Sequence, residues 1–462
     1  MLLSKSKTEI YNILKSHLPN NLNKQKAHGE VFTPIDIVET HLNQVPKSVW
    51  SNPDLKILEP ANGVGNYPVI AYYKLMDGLK TKIPNKVARS KHIITKILYM
   101  CELDKSNVTV SKKIFGEDAN IVQCDFINER NKWESKFNVN GFDIIMGNPP
   151  FQSVSVRNEE NRVGAKGIGN QLWPKFVDVG LELLNKNGYL VFLHPPQWRR
   201  PEKKLYKEMI ANQLLFLQIF SKKTSKEVFG VQSRFDIYVL QNKPYTAKTT
   251  IIDQNLKKHT INLSKWPFIP NYLFGVFSKI LLFSENEKKT KGLEVLFDSK
   301  NHTQHLNTKK DNRGANVSPK KTSKYTIPVV HSMTKKGLGF VYTKTHLSEN
   351  NKKAKVILNF NEKLYPYNDY KGEYGMSQIS FGLKIKNKSH GDKLIRGLNS
   401  RCFSEVVKAT KWGAFQTDYR MFPYIKRDFF KMKFFKSGGR TLKKASRKEN
   451  KKTRKSKHRL KK

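Results

Sequence analysis

The chain has 462 residues, more than one ordinary domain holds, and 38% hydrophobic with 11% aromatic side chains supports a buried core rather than disorder. Lys and Arg number 85 against 38 Asp and Glu, a net charge of +47 that draws a polyanion, nucleic acid before all others. No apolar run approaches the roughly 18 residues of a membrane span, the Met-Leu-Leu-Ser-Lys start is no secretory signal, and three cysteines without metal spacing fit a reducing compartment and no metal site.

In chain order, the periodicity predicts a short amphipathic helix near Glu9–Leu18. A second begins at Thr33-Pro34-Ile35-Asp36, with Thr33 as N-cap and Pro34 at the first helical position, and carries Ile35, Val38, Leu42 and Val45 on one side. Buried strands follow at Leu55–Leu58, Ile97–Cys101, Ile121–Cys124, Phe142–Met146 and Tyr189–Leu193, with closing strands at Leu214–Phe220 and Phe235–Leu240. Helical patterns alternate with them, which predicts an α/β fold with a largely parallel sheet over about 30–243. Past Lys243 the character changes. Residues 286–325 are polar and loop-like, order resumes near Ile327, and the chain from Lys436 is almost devoid of apolar side chains, a solvated basic tail.

Four strands run into a carboxylate or amide at their C-terminal ends, the edge where open α/β sheets bind ligands. Glu59-Pro60-Ala61-Asn62-Gly63-Val64-Gly65-Asn66 is an acid followed by a turn whose glycines let backbone approach a ligand. It is neither a phosphate loop nor the complete dinucleotide fingerprint. Glu102 ends the next strand, where a carboxylate accepts from ribose hydroxyls. Asp125-Phe126 ends the third, an acid for an amino group beside a ring for an aromatic base. Asn148-Pro149-Pro150-Phe151 is the most specific element: two prolines stiffen the corner. The Asn148 oxygen and the Pro149 carbonyl then face one planar NH2 group, and Phe151 offers a stacking face.

These motifs, with Gly29-Glu30-Val31-Phe32-Thr33-Pro34 ahead of them, resemble in type and order the S-adenosylmethionine-dependent adenine-N6 DNA methyltransferases of the TaqI-like and Eco57I-like class. The resemblance spans residues 28–243 by motif. It implies a Rossmann-like methyltransferase sheet with helices on both faces, and a second α+β target-recognition domain over 244–435, between a helical segment (1–27) and the tail (436–462). It implies that Thr33 and Glu59 contact the methionine part of S-adenosylmethionine, with Ala61 and Gly63 shaping that turn, that Glu102 holds the ribose, and Asp125 with Phe126 the adenine. Asn148, Pro149, Pro150 and Phe151 would hold the target base, and Phe229 would stack on its other face. Two departures stand out: Phe151 where Tyr is common, and Gly-Val-Gly-Asn-Tyr in the cofactor turn, where Tyr67 replaces the usual Phe. The same corner handles guanine amino groups in RNA and glutamine amides in proteins, so these substrates stand as alternatives, as does a methyltransferase fused to a nuclease.

Duplex DNA is the expected partner, with a separately encoded restriction endonuclease, a monomeric state, and an intracellular location, cytoplasmic or nuclear if the tail is an import signal. Lys411, Trp412, Gln416 and Arg420 lie in a stretch that interleaves basic and aromatic groups, and are the expected DNA contacts. DNA affinity should fall steeply with salt, and deleting the tail from Lys436 should weaken binding without altering site preference. A flat salt response in a filter-binding assay, or a changed recognition sequence, would count against this assignment.

Overall fold

The computed structural model describes residues 5–16, 33–151, 171–297, 317–344, 349–377, 379–413 and 416–436. Gly29 to Phe32 of the first motif and the tail beyond Lys436 lie outside the described residues. The chain divides into two compact units, one running to Trp198 and then over Lys203–Ser264, the other made of Arg199–Glu202 and the chain from Lys265 onward.

In the first unit, α1 (Lys7–Ser16) buries Ile10 and Leu14, and α2 (Ile35–Leu42) buries Ile35, Val38, His41 and Leu42. Next come β1 (Ile57–Glu59), α3 (Asn66–Gly78), β2 (Leu98–Glu102), α4 (Lys105–Phe115), β3 (Asn120–Gln123), α5 (Arg130–Phe137) and β4 (Phe142–Gly147). After them lie α6 (Trp173–Leu183), β5 (Leu184–His194), α7 (Lys204–Ala211), β6 (Asn212–Ile219), α8 (Lys222–Phe229) and β7 (Asp236–Pro244). The predicted strands are all present, each within a few residues of the apolar run that announced it. Their runs are continuous rather than alternating because a parallel sheet is covered on both faces.

The sheet order is β3-β2-β1-β4-β5-β7-β6, and β8 (Thr249–Ile252) and β9 (Lys258–Ile261) extend it. Strands β1 to β5 are parallel, whereas β7 runs antiparallel between β5 and β6. This is a Rossmann-like, largely parallel α/β sheet. The boundary expected at 243/244 falls short: Phe216 pairs with Thr250 and Thr249 with Ile261, so the sheet and its unit continue to Ser264. Nothing in the polar 244–261 stretch announces that continuation, because an edge pair needs no apolar run.

The second unit is α+β. One sheet has the order β10 (Val295–Leu296), β16 (Ser380–Lys384), β13 (Lys355–Asn359), β14 (Tyr367–Asp369). The other is β12 (Gly337–Thr343), β11 (Ile327–Thr334), β15 (Gly375–Met376). Helices α9 (Glu285–Lys291), α10 (Lys388–Leu398) and α11 (Arg401–Ala409) accompany them. Lys355 and Asp369 form a fully buried ion pair at 2.6 Å across β13 and β14, and the Lys355 ammonium also donates to the Asn351 carbonyl at 2.6 Å. Burial lowers the Lys355 pKa, against the pull of Asp369.

His41 ties α2 to the sheet. Its Nε2 lies 2.8 Å from the Tyr238 carbonyl, which only accepts, so Nε2 carries the proton and Nδ1 accepts from the Tyr67 hydroxyl at 3.1 Å. Complete burial holds the imidazole down to about 4. Unfolded, the ring takes a proton below about 6.5; folded, it resists until about 4. The unfolded state therefore binds more protons between those values, and stability is lost as pH falls through that window, by up to about 3 kcal/mol. Urea unfolding of wild type and His41→Gln between pH 7 and pH 4 should show the shallower decline in the variant. Equal declines would remove His41 as a source of acid sensitivity.

Candidate active site

The strand order reverses between β1 and β4, and such a switch point opens a crevice beyond the strand ends. β1 delivers Glu59 there, and β4 ends in Gly147, directly before Asn148-Pro149-Pro150-Phe151. The two tips touch. Gly147 has φ of +149°, and a Cβ on it would stand 2.0 Å from Glu59 Oε1. Only glycine fits beneath this carboxyl group. Glu59 is 2% exposed and accepts from the Ala61 N–H at 3.3 Å. Burial, with the Glu102 charge adding to it, pushes its pKa well above the usual carboxylate range, against the lowering effect of the Ala61 bond.

Asn148 Nδ2 donates to Thr33 Oγ1 at 3.0 Å, and the Thr33 carbonyl accepts from Asn66 Nδ2 at 2.8 Å. Three residues from α3, the approach to α2 and the β4 corner are thus joined. With its amide nitrogen held by Thr33, the Asn148 side chain is oriented as to which end is nitrogen and which is the acceptor oxygen. The expected N-cap role of Thr33 is corrected here: Pro34 is the N-cap residue of α2, no side chain caps it, and the Thr33 hydroxyl serves Asn148 instead.

The turn after Glu59 is braced from below. Glu102 Oε2 accepts from the Gly63 N–H at 2.6 Å, and its Oε1 from the Asp104 N–H at 2.8 Å. Asn62 Nδ2 donates to Ser111 Oγ at 2.7 Å, while its N–H bonds the Cys101 carbonyl at 2.9 Å. Gly63 and Gly65 have φ of +58° and +100°, and the position of a Gly63 Cβ is open space. The oxygens Asn62 Oδ1 and Asn66 Oδ1 are buried acceptors with no hydrogen-bond donor among the described residues. Tyr67, expected in place of the family's Phe, has its hydroxyl on His41.

Asp125 Oδ1 accepts from the N–H groups of Ile127 and Asn128, and Oδ2 from Asn128 Nδ2, a local turn of the acid on its own loop. Phe126 departs from expectation. Its ring is stacked against Trp133 (5.1 Å) and Phe176 (5.5 Å), and Trp133 Nε1 donates to its carbonyl at 3.0 Å. The ring is core. Phe229 is 6% exposed and meets Phe220 and Phe235 edge-on at 5.5 and 5.2 Å. Phe235, which sequence reasoning missed, backs Phe151 at 5.2 Å. Gly147 was also missed, although a glycine directly ahead of Asn-Pro-Pro was a legible sign of close approach.

The predicted DNA contacts in the second unit differ in their surroundings. Trp412 is 2% exposed and donates from Nε1 to the Ile269 carbonyl at 2.7 Å. Arg420 is bidentate to Asp418 at 2.8 and 2.6 Å, and Lys411 faces Glu362 at 3.4 Å. Gln416 is exposed. The basic–aromatic pattern here builds core, because lysines and arginines pair with local acids while the rings pack inward.

The crevice thus holds an acid at the tip of β1 and an Asn-Pro-Pro-Phe corner beyond β4, on a largely parallel sheet in which β7 runs antiparallel between β5 and β6. Residues 80–229 match the family model of the Eco57I restriction-modification methylase. An uncharacterized adenine-specific methylase of Mycoplasma pneumoniae is 25% identical over a match covering 46% of this chain and 63% of that one. The chain thus spans less than two thirds of the length of this curated relative. Two solved structures are also similar. A modification subunit of a putative type I restriction enzyme from Vibrio vulnificus is 15% identical, covering 61% of this chain and 63% of that one at a TM-score of 0.41. The DrdV–DNA complex is 11% identical, covering 88% and 56% at 0.44.

Gly147→Ala should destabilise the first unit by about 1–3 kcal/mol, since either the Glu59 carboxyl or the β4 tip must move. An unchanged chemical-denaturation midpoint would show that the two tips are not in contact.

Proposed function

We propose that the chain is an S-adenosylmethionine-dependent DNA methyltransferase that modifies the N6 amino group of an adenine turned out of the duplex. The observation that carries this reading is the meeting of β1 and β4: the Asn148 amide is held by Thr33 beside a buried Glu59. The match to the Eco57I methylase model and the similarity to an adenine-specific methylase support adenine over a glutamine amide or an RNA guanine.

The residues present fit the cofactor. Glu59 is a buried acid whose charged form burial disfavours, and a cationic group beside it would favour that form. The buried acceptors on Asn62 and Asn66 suit a donor-rich ammonium group, and the open space over Gly63 admits a ligand against backbone. Thr33, Glu59, Ala61 and Gly63 would hold the methionine part, Glu102 the ribose, and Asp125 with the Phe126 backbone the adenine. When bound, S-adenosylmethionine supplies an electrophilic methyl group on a sulfonium.

The chain's own work is on the nucleophile. An adenine amino nitrogen is weakly nucleophilic because its lone pair is delocalised into the ring. The Asn148 side-chain oxygen and the Pro149 carbonyl would accept hydrogen bonds from its two N–H groups and favour the tetrahedral nitrogen, whose lone pair is then free. The prolines fix both acceptors in advance, so positioning and preorganised dipoles supply the rate rather than a strong base. Turning the base out costs a few kcal/mol, and stacking on Phe151 returns roughly 1–3 kcal/mol of it. DNA is the partner in this reading, and a separately encoded restriction endonuclease is the expected counterpart of such a modification enzyme.

Labelled-methyl transfer to duplex DNA, followed by nucleoside analysis, should give N6-methyladenine. Asn148→Ala should lower transfer by roughly 100-fold or more while cofactor binding by calorimetry is retained. Methyl found only on RNA or protein, or undiminished transfer by the variant, would overturn the reading.

A further inference from the structure

The second unit holds a cavity of ≈ 590 Å³ that no motif announced. Lys291, Lys386, Lys393, Lys426, Arg427 and Lys431 line it, against one carboxylate, Asp428. Two of these arms are held by main chain: Lys426 Nζ donates to the Lys279 carbonyl at 2.8 Å, and Arg427 Nε to the Gly292 carbonyl at 3.1 Å. Lys291 pairs with Glu287 at 3.8 Å and Lys431 with Asp428 at 3.7 Å, both exposed pairs that a stronger anion displaces. Lys386 and Lys393 are exposed and enter no ion pair among the described residues.

The start of α10 lies in the same wall, with Asn387 as its N-cap and Ser389 and His390 in its first turn. The Lys386 N–H donates to His390 Nδ1 at 3.2 Å, so Nε2 of the neutral ring carries its hydrogen. Burial and the charges of Lys386, Arg427, Lys393 and Lys431 hold His390 below its ordinary value, as a concentrated positive potential requires. Like charges at this density repel, and the arrangement is relieved by an anion.

We propose that this cavity seats backbone phosphates of duplex DNA and so positions the substrate, a role that rests on the DNA-methyltransferase reading above. Five of the six cations are lysines, point charges that suit phosphate oxygens, whereas base edges are read by planar forks such as Arg, Asn and Gln. The contact is therefore with the backbone and carries no sequence information of its own. It stands in place of the Lys411–Arg420 stretch, whose charges are spent on Glu362 and Asp418.

The test uses the full chain with Lys386, Lys393 and Lys431 all changed to Ala, and a control in which the exposed Lys320, Lys321 and Lys324 are changed to Ala. In the pocket variant the Kd for duplex DNA should rise tenfold or more. The slope of log affinity against log salt should shrink by about 0.9 for each phosphate that is no longer neutralised, with kcat at saturating DNA and the preferred sequence unchanged. The control should keep most of the wild-type slope. Should the triple variant melt early, Lys393→Glu alone carries the same measurement. Wild-type affinity and slope in the pocket variant, or an effect no larger than the control's, would overturn the phosphate site while leaving methyl transfer intact. Failure of the wild-type chain to bind duplex DNA or methylate it would instead take down the reading on which the site rests.

Discussion

The site depends on the contact of the Glu59 carboxyl group with the bare backbone of Gly147. It joins the two strands at which the sheet changes direction, and it places an acid and an amide on adjacent tips. The Thr33 hydroxyl completes the arrangement by holding Asn148 from the side. Each partner comes from a different stretch of chain. The site is consequently a property of the sheet's core rather than of a loop, which is where preorganised acceptors have to be built.

Much of the first unit was legible because its strands are short apolar runs closed by a polar residue. Leu98–Glu102 and Phe142–Gly147 are examples: apolarity marks the buried stretch, and the acid or the amide that follows marks its end. The Asn148 corner was legible for another reason, since two consecutive prolines leave little conformational choice. The side-chain assignments fared unevenly. Phe126 stands next to an expected ligand residue, yet its ring is held by Trp133 and Phe176, 7 and 50 residues further on, and local sequence carries no trace of such a partnership. Phe229 is enclosed by Phe220 and Phe235 in the same way.

Charge was the signal least able to point to a place. A basic–aromatic stretch looks alike whether it meets a polyanion or folds into a core, and Trp412 and Arg420 folded inward because Ile269 and Asp418 were there to receive them. The cations that do converge come from four separate stretches, around 291, 386, 393 and 426–431. Only the tertiary arrangement of the second unit assembles them. Composition gives the chain as a whole its excess of positive charge, and the fold determines which lysines concentrate it.

The indole of Trp133 is hydrogen-bonded to the Phe126 carbonyl and stacked on the Phe126 ring, one residue from Asp125. Its near-ultraviolet absorption and emission are sensitive to that bond and to the ring beside it. The third strand's tip thus carries an intrinsic chromophore, one of the six tryptophans of the chain.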